Sequence, residues 1–420
     1  MNCATCQTDL NISVEEKQML RELAKRVAEI AAQPVHQQKI ELWKAHNRLE
    51  KTRPLVLVFP EGSWRELLPE SEIKIQNPFF RNFERDLRMR LYHWENLRDD
   101  NVIEAVIYSP LAIEISGWGI DLKRTDSQDE FGAYHIDPVI ITEDDADRLK
   151  CPEVYVDWEE SERRFEALRE IFGDILEVKK QGRGNGGICP LDFYAQLRGI
   201  DNMMMDLVDK PEFLHRVVDF IVEANISIFR TLEAQGALSL GNRNHYVGSG
   251  GVGYSSELPQ ADFSGQVRTM DLWGFATAQI FSEVSPAMHE EFALQHEKKF
   301  LELFGLNCYG CCEPLHNKLD AIIRLVPRLR RISISPWANV ERSAEILEDK
   351  YIFSWKPNPA ILATETWTPE ASKKSLEEFC GKTKNNLTEI IMKDTHTIRN
   401  EPHRMHEWLK LAMKTAEEMS

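Results

Sequence analysis

Apolar residues along this chain fall into two patterns that alternate. In one, they recur at helical spacing, as Leu20, Leu23, Val27 and Ile30 do within the polar stretch 13–50. In the other they run together briefly and stop: PLVLVF (54–59), VIEAVIY (102–108), RRISIS (330–335), YIFSW (351–355) and LTEIIM (387–392). The first pattern predicts helices over 13–50, 80–98, 157–172, 211–236, 286–304, 315–326, 340–348, 369–384 and 402–418. The second predicts buried strands, with LNCYG after Gly305 as one more. Residues 120–150 are polar and loop-rich, and GRGNGG (182–187) predicts a loop. Strands alternating with helices imply a parallel sheet. So many units in 420 residues favour a closed barrel, which takes ~250 residues and grows past 400 with insertions. The expected architecture is α/β, a (β/α)8 TIM barrel over 53–420 behind an N-terminal helical extension over 1–52.

Charge narrows the function. A formal net charge of -17 argues against a general nucleic-acid binder, which needs a basic face, and against attachment to an anionic membrane. No run approaches the ~18 apolar residues of a membrane span. The start, MNCATCQTDL, lacks the basic head and apolar middle of a signal peptide, so the cytoplasm is the expected location. Eight cysteines are too sparse for a disulfide scaffold, but they group: Cys3 with Cys6, and Cys308 with Cys311 and Cys312.

In a parallel barrel the chemistry sits at the C-terminal ends of strands, which selects four segments. Asn307 to Pro314 carries three cysteines and Glu313 at a strand exit; thiolates are soft ligands for zinc, although cysteines are also often buried and inert. Lys393 to Thr397 follows the last strand, where Asp394 and His396 suit metal ligation or acid–base work, or a helix cap. Gly241 to Tyr246 offers Arg243 and His245 to an anionic substrate, or is a packed loop. The GSGGVG that follows (248–253) has no strand-to-helix context that would mark a dinucleotide site. Pro60 to Arg65 offers Glu61, Trp64 and Arg65 to a pocket mouth, or is covered by the helical extension. Cys3 and Cys6 form half a zinc site, and Met203, Met204 and Met205 read as core.

The stretch PLDFYAQLRG (190–199), continuing DNMMMDLVDKPEFLHRVVDFI, resembles a signature of the uroporphyrinogen decarboxylase superfamily. So do Asp271-Leu272-Trp273-Gly274 with SPAMHEEF (285–292), and KPNPAIL (356–362), in the family's order over roughly 100–415. The resemblance implies the (β/α)8 barrel. Family decarboxylases carry an Arg-rich N-terminal motif, RQAGRY, where this chain has PEGSW. The resemblance therefore points to the methyl-transfer branch, which implies a methyltransferase passing a methyl group to or from a corrinoid protein at a zinc-assisted site. That branch has a His-x-Cys, here Tyr309-Gly310-Cys311, and a last-strand Cys, here near Thr395 or His396. It implies Cys311, Cys312 and His396 as metal ligands, and Glu313, His396 and Asp394 as catalytic groups. Glu61, Trp64, Arg243, His245 and Tyr309 would bind substrate. A small-molecule methyl donor or acceptor, a corrinoid partner and a homodimer follow from the same resemblance. The alternatives are a metal-independent decarboxylase or lyase on a carboxylated substrate, and a binding protein that kept the barrel without its chemistry.

Overall fold

The computed structural model describes residues 7–125 and 135–419, so the expectation for Cys3 and Cys6 lies outside the described residues. Pro34 divides the expected N-terminal helix into Val14–Ala31 and Pro34–Asn47. The first opens on a capping box: Ser13 Oγ accepts from the Glu16 amide, and the Glu16 carboxylate accepts from the Ser13 amide, both at 3.1 Å. Its apolar stripe of Leu20, Leu23, Ala24 and Val27 is buried against helix Pro78–Asn96. The second helix carries the extension into the body of the molecule. Trp43 is buried and its indole donates to the Asp100 carbonyl at 2.9 Å. Asn47 donates to the Val252 and Tyr254 carbonyls at 3.1 and 2.6 Å.

Eight strands carry the site: β1 (Leu55–Val58), β2 (Val106–Pro110), β3 (Glu177–Gln181), β4 (Trp273–Ala276), β5 (Leu306–Tyr309), β6 (Leu329–Ile334), β7 (Ile352–Trp355) and β8 (Leu387–Met392). Six form one parallel sheet in the order β1–β8–β7–β6–β5–β4. β2 and β3 form a parallel pair of their own. β1, β5, β7 and β8 are buried at every position, as expected for strands covered on both faces.

Two expectations are corrected. Residues 182–187 are not a free loop but prolong β3 along β4: the Gly186 amide donates to the Trp273 carbonyl at 2.9 Å and the Ile188 amide to Phe275 at 3.0 Å. The glycines permit this approach, since a Cβ on Gly186 would lie 2.0 Å from the Phe304 ring. The second correction concerns closure. Among the described residues no ladder joins β1 to β2, so the parallel wrap stays unclosed there. Two carboxylates take the amides along that edge of β1: Val56 donates to Asp100 at 2.8 Å and Val58 to Asp99 at 2.9 Å. Side chains thus satisfy an edge that a neighbouring strand would otherwise pair.

The helix expected over 286–304 is interrupted by a π turn at Glu290–Leu294, between Pro286–His289 and Gln295–Leu301. Two short antiparallel pairs, Ala112–Ile115 with Val154–Asp157 and Lys123–Thr125 with His135–Asp137, appear in the region expected to be loop-rich. Among the described residues no helix is long and apolar enough to cross a membrane.

The remaining piece is the segment 241–255, which doubles back on itself at an antiparallel bridge between Tyr246 and Val252. It packs against residues that the strands turn inward. A Cβ on Gly248 would meet Cys308 and Phe275, one on Gly250 would meet Ser354 and Glu389, and one on Gly251 would meet Arg331. Gly248 and Gly251 also have φ of 62° and 63°, a conformation that favours glycine. GSGGVG is therefore a filling for the sheet's concave side, and its tip reaches the strand exits.

Candidate active site at the strand exits

Three strand exits and that tip converge. Beyond β5, Gly310 turns the chain at φ 88° and is followed by Cys311, Cys312 and Glu313. Beyond β8 come Lys393 and Asp394, and beyond β1 comes Glu61. Glu61 and Asp394 both hold left-handed backbone, at φ 46° and 57°, and the Asp394 amide donates to the Glu61 carboxylate. Non-glycine residues in that region cost free energy and need surroundings that hold them there. Thr395 supplies part of this. Its hydroxyl donates to the Phe59 and Pro60 carbonyls at 3.1 and 2.5 Å, and its carbonyl accepts from the Ser63 amide and hydroxyl, each at 2.8 Å.

Cys311 is the centre of the cluster. Its Sγ lies 3.6 Å from the Cys312 Sγ, accepts from the Ser249 hydroxyl at 3.3 Å, and faces the Lys393 ammonium at 3.7 Å. The hydrogen bond shared with the Cys312 sulfur is the main influence that lowers the Cys311 thiol, to about 6. Burial opposes this, while Lys393 and Ser249 add to it. The same hydrogen bond and burial push the Cys312 thiol up. Burial works against the Lys393 ammonium, but Tyr246, Cys311 and Asp394 together hold it above its usual range. The lowered Cys311 thiol thus faces an ammonium, with Asp394 3.3 Å from that ammonium and 3.9 Å from the Cys312 sulfur.

Glu313 does a different job from the one its position suggested. It is fully buried, and its carboxylate accepts from the Cys311 amide at 3.0 Å, the Thr277 hydroxyl at 2.6 Å and the Ala278 amide at 3.4 Å. It holds the loop that presents Cys311. Tyr309 is also fully buried. Its hydroxyl lies 3.0 Å from His289 Nε2 and donates to Glu297 at 2.7 Å. Burial pushes the Glu297 carboxyl up to about 8 and the His289 imidazole down to about 3, so this trio is a largely neutral layer beneath the site.

The other expected substrate residues lie elsewhere. Trp64 and Arg243 share a cavity of about 430 Å³ at the unclosed β1–β2 seam, with His93, Glu104, Tyr108 and Asn244. The Arg243 guanidinium stacks 4.0 Å over the Tyr108 ring. His245 is lowered to about 4 by burial and by Arg243, and its Nε2 is buried with no hydrogen-bond partner. His396 is exposed, its carbonyl accepts from Arg65 at 2.8 Å, and its backbone lies against Gly62. The structure therefore brings Cys311, Cys312, Glu313, Asp394 and Glu61 together. It sets Trp64, Arg243 and His245 apart from them.

Among the described residues no three His, Cys, Asp or Glu side chains are grouped to hold a metal. The cation that the Cys311 sulfur meets is Lys393. Lys393, Ser249 and Tyr246 lie in segments that the sequence singles out, but the motifs gave these three residues no role of their own. Tyr246 stacks 4.4 Å from Phe59, and its buried hydroxyl has no hydrogen-bond partner. Only the place of Lys393, the first charged residue after a fully apolar strand end, could have drawn attention to it.

No protein-family model matches the sequence, and no curated protein matches it. Among solved structures, a methyltransferase from Methanosarcina mazei is similar over 89% of this chain and 97% of that one, at 13% identity and a TM-score of 0.44. A likeness of that degree assigns neither fold nor activity.

Proposed function

We propose that this chain is an enzyme of methyl transfer whose chemistry is run by the Cys311 thiolate. The observation that supports it is the position of the Cys311 sulfur, held between Cys312, Ser249 and Lys393 at the strand exits. A base works best when its pKa lies close to the working pH, and Cys311 at about 6 meets that condition. In this reading the substrate's nucleophilic group, a thiol in the simplest case, gives its proton to Cys311. It then attacks the methyl carbon in line, the new bond to carbon forms, and the donor departs with its electron pair. Asp394 and Glu61 stand at the same exits to orient the incoming group. Methyl as the group and a corrinoid protein as the methyl partner come from the family resemblance of the sequence.

The zinc that the same resemblance implies does not fit these side chains. His396 is exposed, Glu313 is committed to backbone donors, and Lys393 faces the sulfur a metal would need. No step here uses a metal. Decarboxylation is the weaker reading, because an anionic substrate would meet the Cys311 thiolate, Asp394 and Glu61 at the same place.

The test incubates the protein with a methylated corrinoid and a thiol acceptor, and follows methylated product by mass spectrometry. Wild type should form product and Cys311→Ala should not; equal turnover by both would refute the reading. A mass gain of one methyl group on Cys311 itself would make it the nucleophile instead of the base. Elemental analysis of protein purified without chelator should find no stoichiometric zinc. About one zinc per chain, lost in a Cys311→Ala/His396→Ala variant, would restore the metal site.

A further inference from the structure

Cys311 and Cys312 are neighbours in sequence, and their sulfurs are already 3.6 Å apart. They differ in the way a two-electron thiol couple requires. Cys311 is half-buried with its sulfur 3.7 Å from the Lys393 ammonium, which favours its thiolate form, and Cys312 is exposed. Reactive thiols sit in such cationic, accessible surroundings, and the thiolate is the form that attacks. The Asp394 carboxylate, 3.9 Å from the Cys312 sulfur, is placed to take its proton. Among the described residues the other cysteines are unsuited: burial raises Cys189, Cys308 and Cys380, and Cys151 lies in another part of the chain.

We infer that Cys311 and Cys312 form a reversible dithiol–disulfide couple that a hydroperoxide oxidises. The Cys311 thiolate attacks the terminal peroxide oxygen; the O–O bond breaks, the leaving oxygen takes a proton, and Cys311 becomes a sulfenic acid. The Cys312 sulfur then attacks the Cys311 sulfur. The S–O bond breaks, water leaves with the Cys312 proton, and the S–S bond forms. Two thiols and one hydrogen peroxide become one disulfide and two waters. A dithiol reductant reverses the sum.

Geometry also sets how labile the bond is. Adjacent Cα atoms across a trans peptide are ~3.8 Å apart. Ordinary disulfides span ~4.4–6.8 Å, so this ring is strained and easily reduced. Such a bond is suited to switching and not to holding a fold. Its formation removes the thiolate from the strand exits and returns it when conditions become reducing. This inference does not depend on which group the enzyme transfers.

The test treats the full chain with equimolar hydrogen peroxide, blocks free thiols by alkylation, and weighs the peptide that contains both residues. The expected result is a loss of about 2 Da with neither cysteine alkylated, reversed by a dithiol reductant. Cys312→Ser should lose that product and instead accumulate a sulfenic acid at Cys311 that a 1,3-dione traps. Two alkylated cysteines after oxidation, a sulfinic acid at Cys311 in the wild type, or a bond from Cys311 to any other cysteine would each overturn the inference.

Discussion

Cys308 and Cys311 lie three residues apart, and each sulfur has a cation 3.7 Å away, yet their thiols move in opposite directions. Cys308 points into the sheet's concave side toward Arg331, and burial pushes its thiol up despite that guanidinium. Cys311 emerges at the strand exit and is pulled down. Distance to a positive charge therefore does not decide between them. Arg331 is buried and already engaged: its Nε pairs with Glu389 at 2.9 Å, and it donates to Asn47 at 2.8 Å. Little of its field remains for a neutral thiol that would lose its own solvation on ionising. Cys311 has two hydrogen-bond donors of its own, Cys312 and Ser249, in addition to Lys393. Cys308 has one such donor, Arg331, and full burial outweighs it; the exit offers more donors to a sulfur that is less buried.

The largest expected effect separates the two thiols directly. Cys311→Ser should lower methyl transfer by roughly 10²–10⁴-fold, the usual worth of a positioned acid–base group, while Cys308→Ser stays within a few-fold of wild type. Equal losses in steady-state assays would erase the distinction. The two cations come next. Arg331→Met leaves Glu389 buried without its partner and should cost about 3–5 kcal/mol in urea unfolding. Lys393→Met leaves the partly exposed Asp394 and a Cys311 sulfur that can take up a proton, and should cost about 1 kcal/mol or less. A reversal of that order would place the structural charge at the exit and not in the interior.

Smaller effects sharpen the picture. Gly251→Ala forces a Cβ to within 2.3 Å of the Arg331 guanidinium at a φ of 63°, and should destabilise by about 1–3 kcal/mol. It should also disturb Cys311 through the displaced Ser249, which thermal unfolding and alkylation kinetics can measure together. The finest test is the pH dependence of alkylation by iodoacetamide. The reactive form is the thiolate, so Cys311 labelling should be complete above its lowered pKa and fall as pH drops through about 6. Lys393→Met should move that midpoint upward by about one unit. Cys308 should remain unlabelled until the protein unfolds.

Much of this was legible along the chain. The continuous apolar run of β1 and the mainly apolar runs of β7 and β8 marked strands, since a strand buried on both faces has little polar side to show. The rule that parallel sheets work at their C-terminal ends singled out Glu61, Cys311, Cys312 and Asp394, and they do meet. The same rule overreached with Glu313 and Tyr309, because position after a strand does not say whether a side chain turns toward the exit or the core. Arg243 and His245 stand among the exit candidates of the sequence, but the doubled-back path of 241–255 carries Arg243 to the seam at β2 and buries His245 against Gly241.

The sequence by itself determined the alternation of helix and strand, the parallel sheet and the strand exits, because each rests on local periodicity and turn chemistry. Only the tertiary structure decided which residues became chemistry. It brought Ser249 from a glycine-rich segment, and Lys393 from a strand 82 residues away in sequence, to the Cys311 sulfur. It left β1 unpaired with β2 by giving its amides to Asp99 and Asp100. The physical reason is common to all three. A thiol's ionisation and an edge amide's satisfaction depend on donors, acceptors and charges within about 4 Å, and the chain alone does not say which residues folding will place there.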